Sequence, residues 1–296
     1  MKKTSMLLAA AVTALAGWVP ATSAETRVDE RQPAHKDVRV RIRVPVGELH
    51  VAAWDNDEIS VSGTLGRRAG ELDFRSRGGR ARIEVEGRGH HRHGSGADLR
   101  IQVPRGASLS IESFSTDVQV DGVQGDLEIQ SVQGSVAVTG AGAEVEVETV
   151  NGSVDVNGAV QRLRIEAVSG AVTVAGVGPD AAVSTVSGRL QVDGGPFRRG
   201  RFESVSGSIR VTGGLDTDAD VDVETVSGSV KLTLPDDVSA RFDVTTFSGS
   251  VDNELGPEAR RVSRLTPNKE LEFTTGSGSA RVRIQTLSGS VKLYKR

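Results

Sequence analysis

The 296-residue chain has no cysteine and only two tryptophans, one tyrosine and seven phenylalanines, an aromatic share of 3%. The missing thiol excludes a disulfide scaffold, a cysteine nucleophile and every thiolate-held metal or iron–sulfur centre. The scarcity of rings leaves Val, Ile and Leu to fill any interior. With 37% hydrophobic residues, the chain has enough apolar side chains to build one, unlike a disordered sequence. Long apolar runs are also absent. Beyond the N-terminus no stretch of 18 occurs, so no transmembrane segment is expected in the mature chain. There is no Gly-x-Ser-x-Gly elbow, His-Glu-x-x-His pair, phosphate loop or dinucleotide fingerprint. No catalytic residue and no cofactor are therefore expected.

The first 24 residues read as a secretory signal. Lys2 and Lys3 precede an apolar run from Met6 to Val19, and small residues lead to a cleavage point after Ala24. The expected location is exported: periplasmic, cell-surface or secreted. Residues 106–235 carry 8 basic against 18 acidic side chains. An acidic middle disfavours nucleic acid as a partner, because phosphates seek a concentrated basic patch.

What the chain does have is glycine, 35 residues of it, and a repeat. The tetrads at Gly134, Gly152, Gly170, Gly188, Gly207, Gly228, Gly249 and Gly289 are one motif, typified by Ser-Gly-Ser-Val. Their spacings are 18, 18, 18, 19, 21, 21 and 40. Seven and five residues before the glycine stand apolar side chains such as Leu127/Ile129, Val145/Val147 and Leu163/Ile165. Two and four after it come Val136/Val138, Val154/Val156 and Val172/Val174. Each pair alternates with period two, the strand signature. The glycine sits between strands, where a bend needs positive φ or close backbone approach. A second glycine column follows six residues later, from Gly122 and Gly140 to Gly213.

A unit of two short strands cannot bury its own apolar face, so neighbours must stack on it. The pattern predicts an all-β fold: a parallel β-solenoid of about nine 18–21-residue rungs, roughly 40 Å long at ~4.8 Å per rung. A further apolar column two residues before the glycine breaks the six-residue period of a left-handed triangular helix. An antiparallel sandwich is the alternative. The expected organisation is a signal peptide at 1–24, an N-terminal β region acting as cap at 25–108, and repeats over 109–296. An excursion at 254–268 is expected to precede the last rung.

The chain resembles a bacterial envelope family of β-solenoids regarded as candidate adhesins, a domain of unknown function. Gly47-Glu48-Leu49-His50-Val51 with Trp54-Asp55, Asp98-Leu99-Arg100-Ile101-Gln102-Val103-Pro104 and the Thr-Val-Ser-Gly-Ser-Val rungs carry the likeness. The resemblance implies architecture and an envelope location. It implies no reaction and no catalytic residue. The lengthened corners and the 254–268 excursion depart from the family pattern.

Candidate sites follow from the columns. Four residues before the glycine stand Glu112, Gln130, Glu148, Glu166, Ser184, Glu203, Glu224, Thr245 and Gln285, an outward acidic stripe. Glu148, Glu166, Glu203 and Glu224 are candidates for binding divalent cations or a cationic partner; the alternative is a solvated face relieved by Arg164 and Arg201. Insertions after Gly188 enter one corner, and there Phe197 with Arg198 and Arg199 is either a binding anchor or a side chain folded over the rod. Asp216, Asp218, Asp220 and Asp222 lack the turn glycine and distal Glu of a calcium loop and read as the wet face of a strand. His90, His91 and His93 are weak metal candidates in a glycine-rich segment.

The function expected is that of a non-catalytic exported envelope protein, adhesin-like, presenting a rigid surface to an envelope glycan or protein. One alternative is a carbohydrate-active β-helix enzyme using surface Asp/Glu. Another is a cation-stabilised envelope scaffold.

Overall fold

The structure, a computed structural model, describes residues 25–67, 69–87, 96–140, 142–261 and 267–296. Residues 1–24, where a signal is expected, and His90, His91 and His93 lie outside the described residues. Among those described, every regular element is a strand. The first third holds β1 (Thr26–Pro33), β2 (Arg39–Trp54), β3 (Glu58–Leu65), β4 (Ala69–Arg77), β5 (Arg80–Gly87) and β6 (Ala97–Pro104). The repeats form β7 (Ser108–Asp121), β8 (Leu127–Gln133), β9 (Val136–Thr139), β10 (Glu144–Asn151), β11 (Val154–Ser169), β12 (Val172–Ser227) and β13 (Val230–Leu234). The chain closes with β14 (Ala240–Asn253), β15 (Arg260–Arg261), β16 (Lys269–Thr274) and β17 (Ala280–Lys295).

The repeats pair in parallel at the repeat offset. Leu127 faces Val145, Val145 faces Leu163 and Leu163 faces Ala181; Ile129, Val147, Ile165 and Val183 form the next column. This parallel pairing is opposite to the sandwich alternative. Like lies on like, so each apolar column becomes a continuous strip of core, and Val147, Ile165 and Val183 are at most 1% exposed. Each such side chain contributes about 1.5–3 kcal/mol on burial.

The glycine columns are explained by close approach. A Cβ at Gly152 would lie 1.9 Å from the carbonyl oxygen of Gly134, and one at Gly158 would lie 1.5 Å from that of Gly140. No side chain fits between such backbones. The same contact links Gly188 to Gly170, Gly207 to Gly188 and Gly228 to Gly207. It thereby traces the stacking order through β12, which turns several corners, with positive φ at Gly176, Gly195 and Asp218.

Two features go beyond the sequence-based expectation. The alternation that buries positions seven and five before the glycine continues inward to position three. That column reads Ser113, Ser131, Thr149, Ala167, Thr185, Ser204, Thr225, Thr246 and Thr286, small side chains tucked under the corner, with Ser204 Oγ 3.1 Å from a Cβ placed at Gly207. The apolar column at position two therefore points outward. Phe114, Val150, Val168, Val186, Val205, Val226, Phe247 and Leu287 are 41–57% exposed.

The second feature is the order at the C-terminal end. β17 pairs with β12 on one edge (Val221 with Val282, Glu224 with Gln285) and with β14 on the other (Phe242 with Val282, Thr245 with Gln285). The last segment in sequence is thus inserted between two earlier ones, and β14 is the outermost of the parallel layers. Its composition suits that place: where inner layers carry Leu232 and Leu293, β14 carries Asn253. The excursion continues into β16, which runs antiparallel on β14 and stacks Phe273 on Phe242 with ring centroids 4.5 Å apart.

At the other end β2 pairs in parallel with β7, Val40 facing Leu109 and Ile42 facing Ile111. β5 and β6 lie on the far edge of β2, and β4, β3 and β1 continue antiparallel. The residues behind the family resemblance sit here: Gly47 approaches the Ala97 carbonyl so closely that a Cβ would stand 1.9 Å from it.

Candidate functional site

The outward face of the repeats holds a groove of about 1230 Å³ running across the strands. Its walls are built by strand alternation alone. Positions four and two before each glycine point out, and the backbone of position three lies between them. One wall is therefore the polar ladder from Glu112 to Gln285 and Thr245; the other is the apolar ladder of Val, Leu and Phe. Because stacking repeats both columns at the inter-strand distance, each ladder has a period of about 4.8 Å.

All four glutamates singled out from the sequence lie on this one groove. Register puts Glu148 beside Glu166, with Gln130 and Ser184 flanking that pair. Arg164 reaches both Glu166, at 2.6 Å, and Glu146, at 3.4 Å. Arg201 holds Glu203 at 3.0 Å, and Arg43 hydrogen-bonds Glu112 from β2. The predicted relief by Arg164 and Arg201 is present. Glu148 and Glu224 have no cationic partner among the described residues. The acidic wall thus holds three neutralised carboxylates, Glu112, Glu166 and Glu203, and two free ones, Glu148 and Glu224.

The corner candidates go elsewhere. Phe197 is 1% exposed and packs edge-on against Phe202, with centroids 5.7 Å apart. It takes the second of its two expected places, as a core side chain folded into the coil, and offers no exposed anchor. Arg198 and Arg199 both donate to Asp180, with their closest nitrogen–oxygen distances 2.9 and 2.7 Å. Those hydrogen bonds, Arg199's the stronger influence, hold the Asp180 carboxyl far below the ordinary carboxylate range despite its burial. The arrangement is a clasp closing the inserted corner. The insertions do share that corner: Gly214 lies against Pro196 and Pro235.

The aspartate run is dispersed. Asp216 accepts a hydrogen bond from the Thr217 N–H, and Asp222 pairs with Arg283 at 2.9 Å. Among the described residues no three His, Asp or Glu side chains are grouped to hold a metal ion. Nor is any helix among them long and apolar enough to cross a membrane.

The outward apolar ladder is the part of the site that the column pattern did not reveal as a surface. A signal for it exists. Counting back from the glycine by twos from position seven puts position two outside, so a valine repeated there is an apolar residue on a wet face.

A family model described as Toastrack DUF4097 matches residues 34–294. Three solved structures are similar over most of their length. A candidate adhesin from Bacteroides fragilis shares 11% identity, with 91% of this chain and 98% of that one covered, at a TM-score of 0.44. One from Parabacteroides distasonis shares 10%, covering 90% and 97%, at 0.46. One from Parabacteroides merdae shares 10%, covering 90% and 95%, at 0.36. No curated protein matches the sequence.

Proposed function

The chain belongs to the Toastrack DUF4097 family, and from that premise we propose that it is a non-catalytic, exported envelope protein: a β-solenoid of about nine rungs that presents one rigid face to an envelope or surface component. The observation that carries the reading is the outward apolar ladder. Eight large apolar side chains at 41–57% exposure stand in one line, where scattered single residues would need no explanation. A contiguous apolar strip rimmed by carboxylates is costly in water and is covered when a partner docks. The lysine-poor, glycine-cornered frame supports the reading too: every rung is locked to its neighbours, so the face is held ready without ordering on binding.

The test is co-sedimentation. The purified chain is incubated with peptidoglycan, lipopolysaccharide and outer-membrane vesicles, spun down, and the supernatant assayed for released sugars. Retention without release is expected, lost when Val168 and Val186 are both replaced by serine. Release of sugars would replace this reading with a carbohydrate-active enzyme working through surface carboxylates. Absence of retention in every fraction would remove the envelope surface as the partner.

A further inference from the structure

We infer that the groove takes an extended polypeptide segment in which lysine or arginine alternates with apolar residues. This rests on the binding-face reading above and names its partner class. Three properties of the groove lead to it.

The first is length. From Glu112 to Thr245 the polar ladder takes eight inter-strand steps, about 38 Å at ~4.8 Å each. An extended chain spans that line in about eleven or twelve residues at ~3.3 Å per residue, and the groove is one continuous track along it.

The second is the opposition of the walls. An extended chain sends successive side chains to opposite sides. Laid along the groove, it would turn one set toward the glutamates and the other toward the valines. The chemistry on each side then specifies cation, apolar, cation, apolar. Glu148 and Glu224 are the free carboxylates, four steps or about 19 Å apart, which an extended chain covers in about six residues. Six is even, so cations at that separation point the same way.

The third is what the apolar wall is made of. Between the end residues Phe114 and Phe247 it is aliphatic. Sugar rings gain most from flat aromatic faces, which this wall lacks along its middle, and an acidic glycan is repelled by Glu148 and Glu224.

The groove's 4.8 Å period does not match the ~6.7 Å dipeptide repeat of an extended chain. Affinity should therefore follow the alternation and not a particular sequence. The probe is a fluorescein-labelled dodecapeptide alternating lysine and valine, read by anisotropy on the full chain. Binding is expected, weakened about ten-fold or more by Glu148→Gln with Glu224→Gln, and likewise by Val168→Ser with Val186→Ser. All four positions are on the outer face, so circular dichroism of the variants should match the parent. Peptides alternating lysine with serine, or glutamate with valine, should bind at least ten-fold more weakly. The inference is overturned by no binding of the lysine–valine peptide, by equal binding of the lysine–serine peptide, by variants that bind unchanged, or by a neutral oligosaccharide occupying the groove instead. A chain that sediments with envelope fractions but ignores the peptide keeps the binding-face reading and loses this one. A chain that does neither loses both.

Discussion

Replacing Gly207 by alanine isolates the close contact on which the stacking depends. Gly207 is not in the left-handed region, so the added methyl brings no φ penalty. Its Cβ would stand 1.9 Å from the Gly188 carbonyl oxygen and 3.1 Å from Ser204 Oγ. Ordinary contact requires about 3.2 Å or more, so the two layers must part locally by roughly 1.3 Å. Hydrogen bonds near 2.9 Å then exceed 4 Å and are lost. Two or three such bonds at about 1 kcal/mol each, with the strain of the neighbouring corner, give a loss of about 2–4 kcal/mol. For a chain of this size that corresponds to a melting temperature lower by roughly 5–15 °C. Gly214→Ala is the matched control. It lies seven residues on in the same strand, and its nearest foreign atom, Pro196 Cβ, is 3.8 Å away. It should change stability by less than about 0.5 kcal/mol. Both are measured by thermal and urea unfolding followed by far-ultraviolet circular dichroism. Equal effects of the two substitutions would refute the argument that backbone approach, and not glycine content in general, dictates the columns.

Asp180→Asn should cost about 1–3 kcal/mol at neutral pH by leaving two guanidinium groups at the corner without their carboxylate. Because the folded-state value of Asp180 is lowered, its contribution is complete above the unfolded value near pH 4 and fades as pH falls toward the folded one; the gap between parent and variant in urea midpoint should therefore narrow from about pH 5 downward. Thr225 Oγ1 is buried without a hydrogen-bond partner, so Thr225→Val should raise stability by about 1 kcal/mol, and a fall of that size would show that the hydroxyl is paired. Phe202→Ala, removing a ring with 0% exposure, should cost about 3–5 kcal/mol, whereas Phe247→Ser on the outer ladder should leave the unfolding midpoint within about 0.5 kcal/mol of the parent.

Much of this architecture was legible because a repeat states its own contacts. Once Leu127, Val145 and Leu163 fall in one column at a fixed offset, parallel pairing at that offset is the arrangement that puts apolar on apolar. The glycine spacing likewise carried the corners. The order of the final layers was not legible, because periodicity says which residues are equivalent and not which equivalents touch. Asn253, in a column otherwise filled by Val and Leu, was the available hint that β14 is an outer layer. The acidic wall was found from its carboxylates. The apolar wall was missed because valine near a strand end reads as core, and only the inward threonine beside it reveals that the valine faces out. Phe197 stood out as one of few aromatics in an inserted corner, but a large ring there was filling space widened by the extra residues.

The groove exists only if identical columns lie over one another in a single order, with the last segment inserted before β14. The absence of cysteine makes site-specific spin labelling direct. Labels at Gln130 and Gln285 should be six steps or about 29 Å apart, and labels at Gln130 and Thr245 seven steps or about 34 Å, at ~4.8 Å per step. Pulsed electron–electron resonance should find the 130–245 distance longer by about 5 Å. The reverse order would contradict the insertion of β17, and distances bearing no relation to the step count would contradict the stack itself.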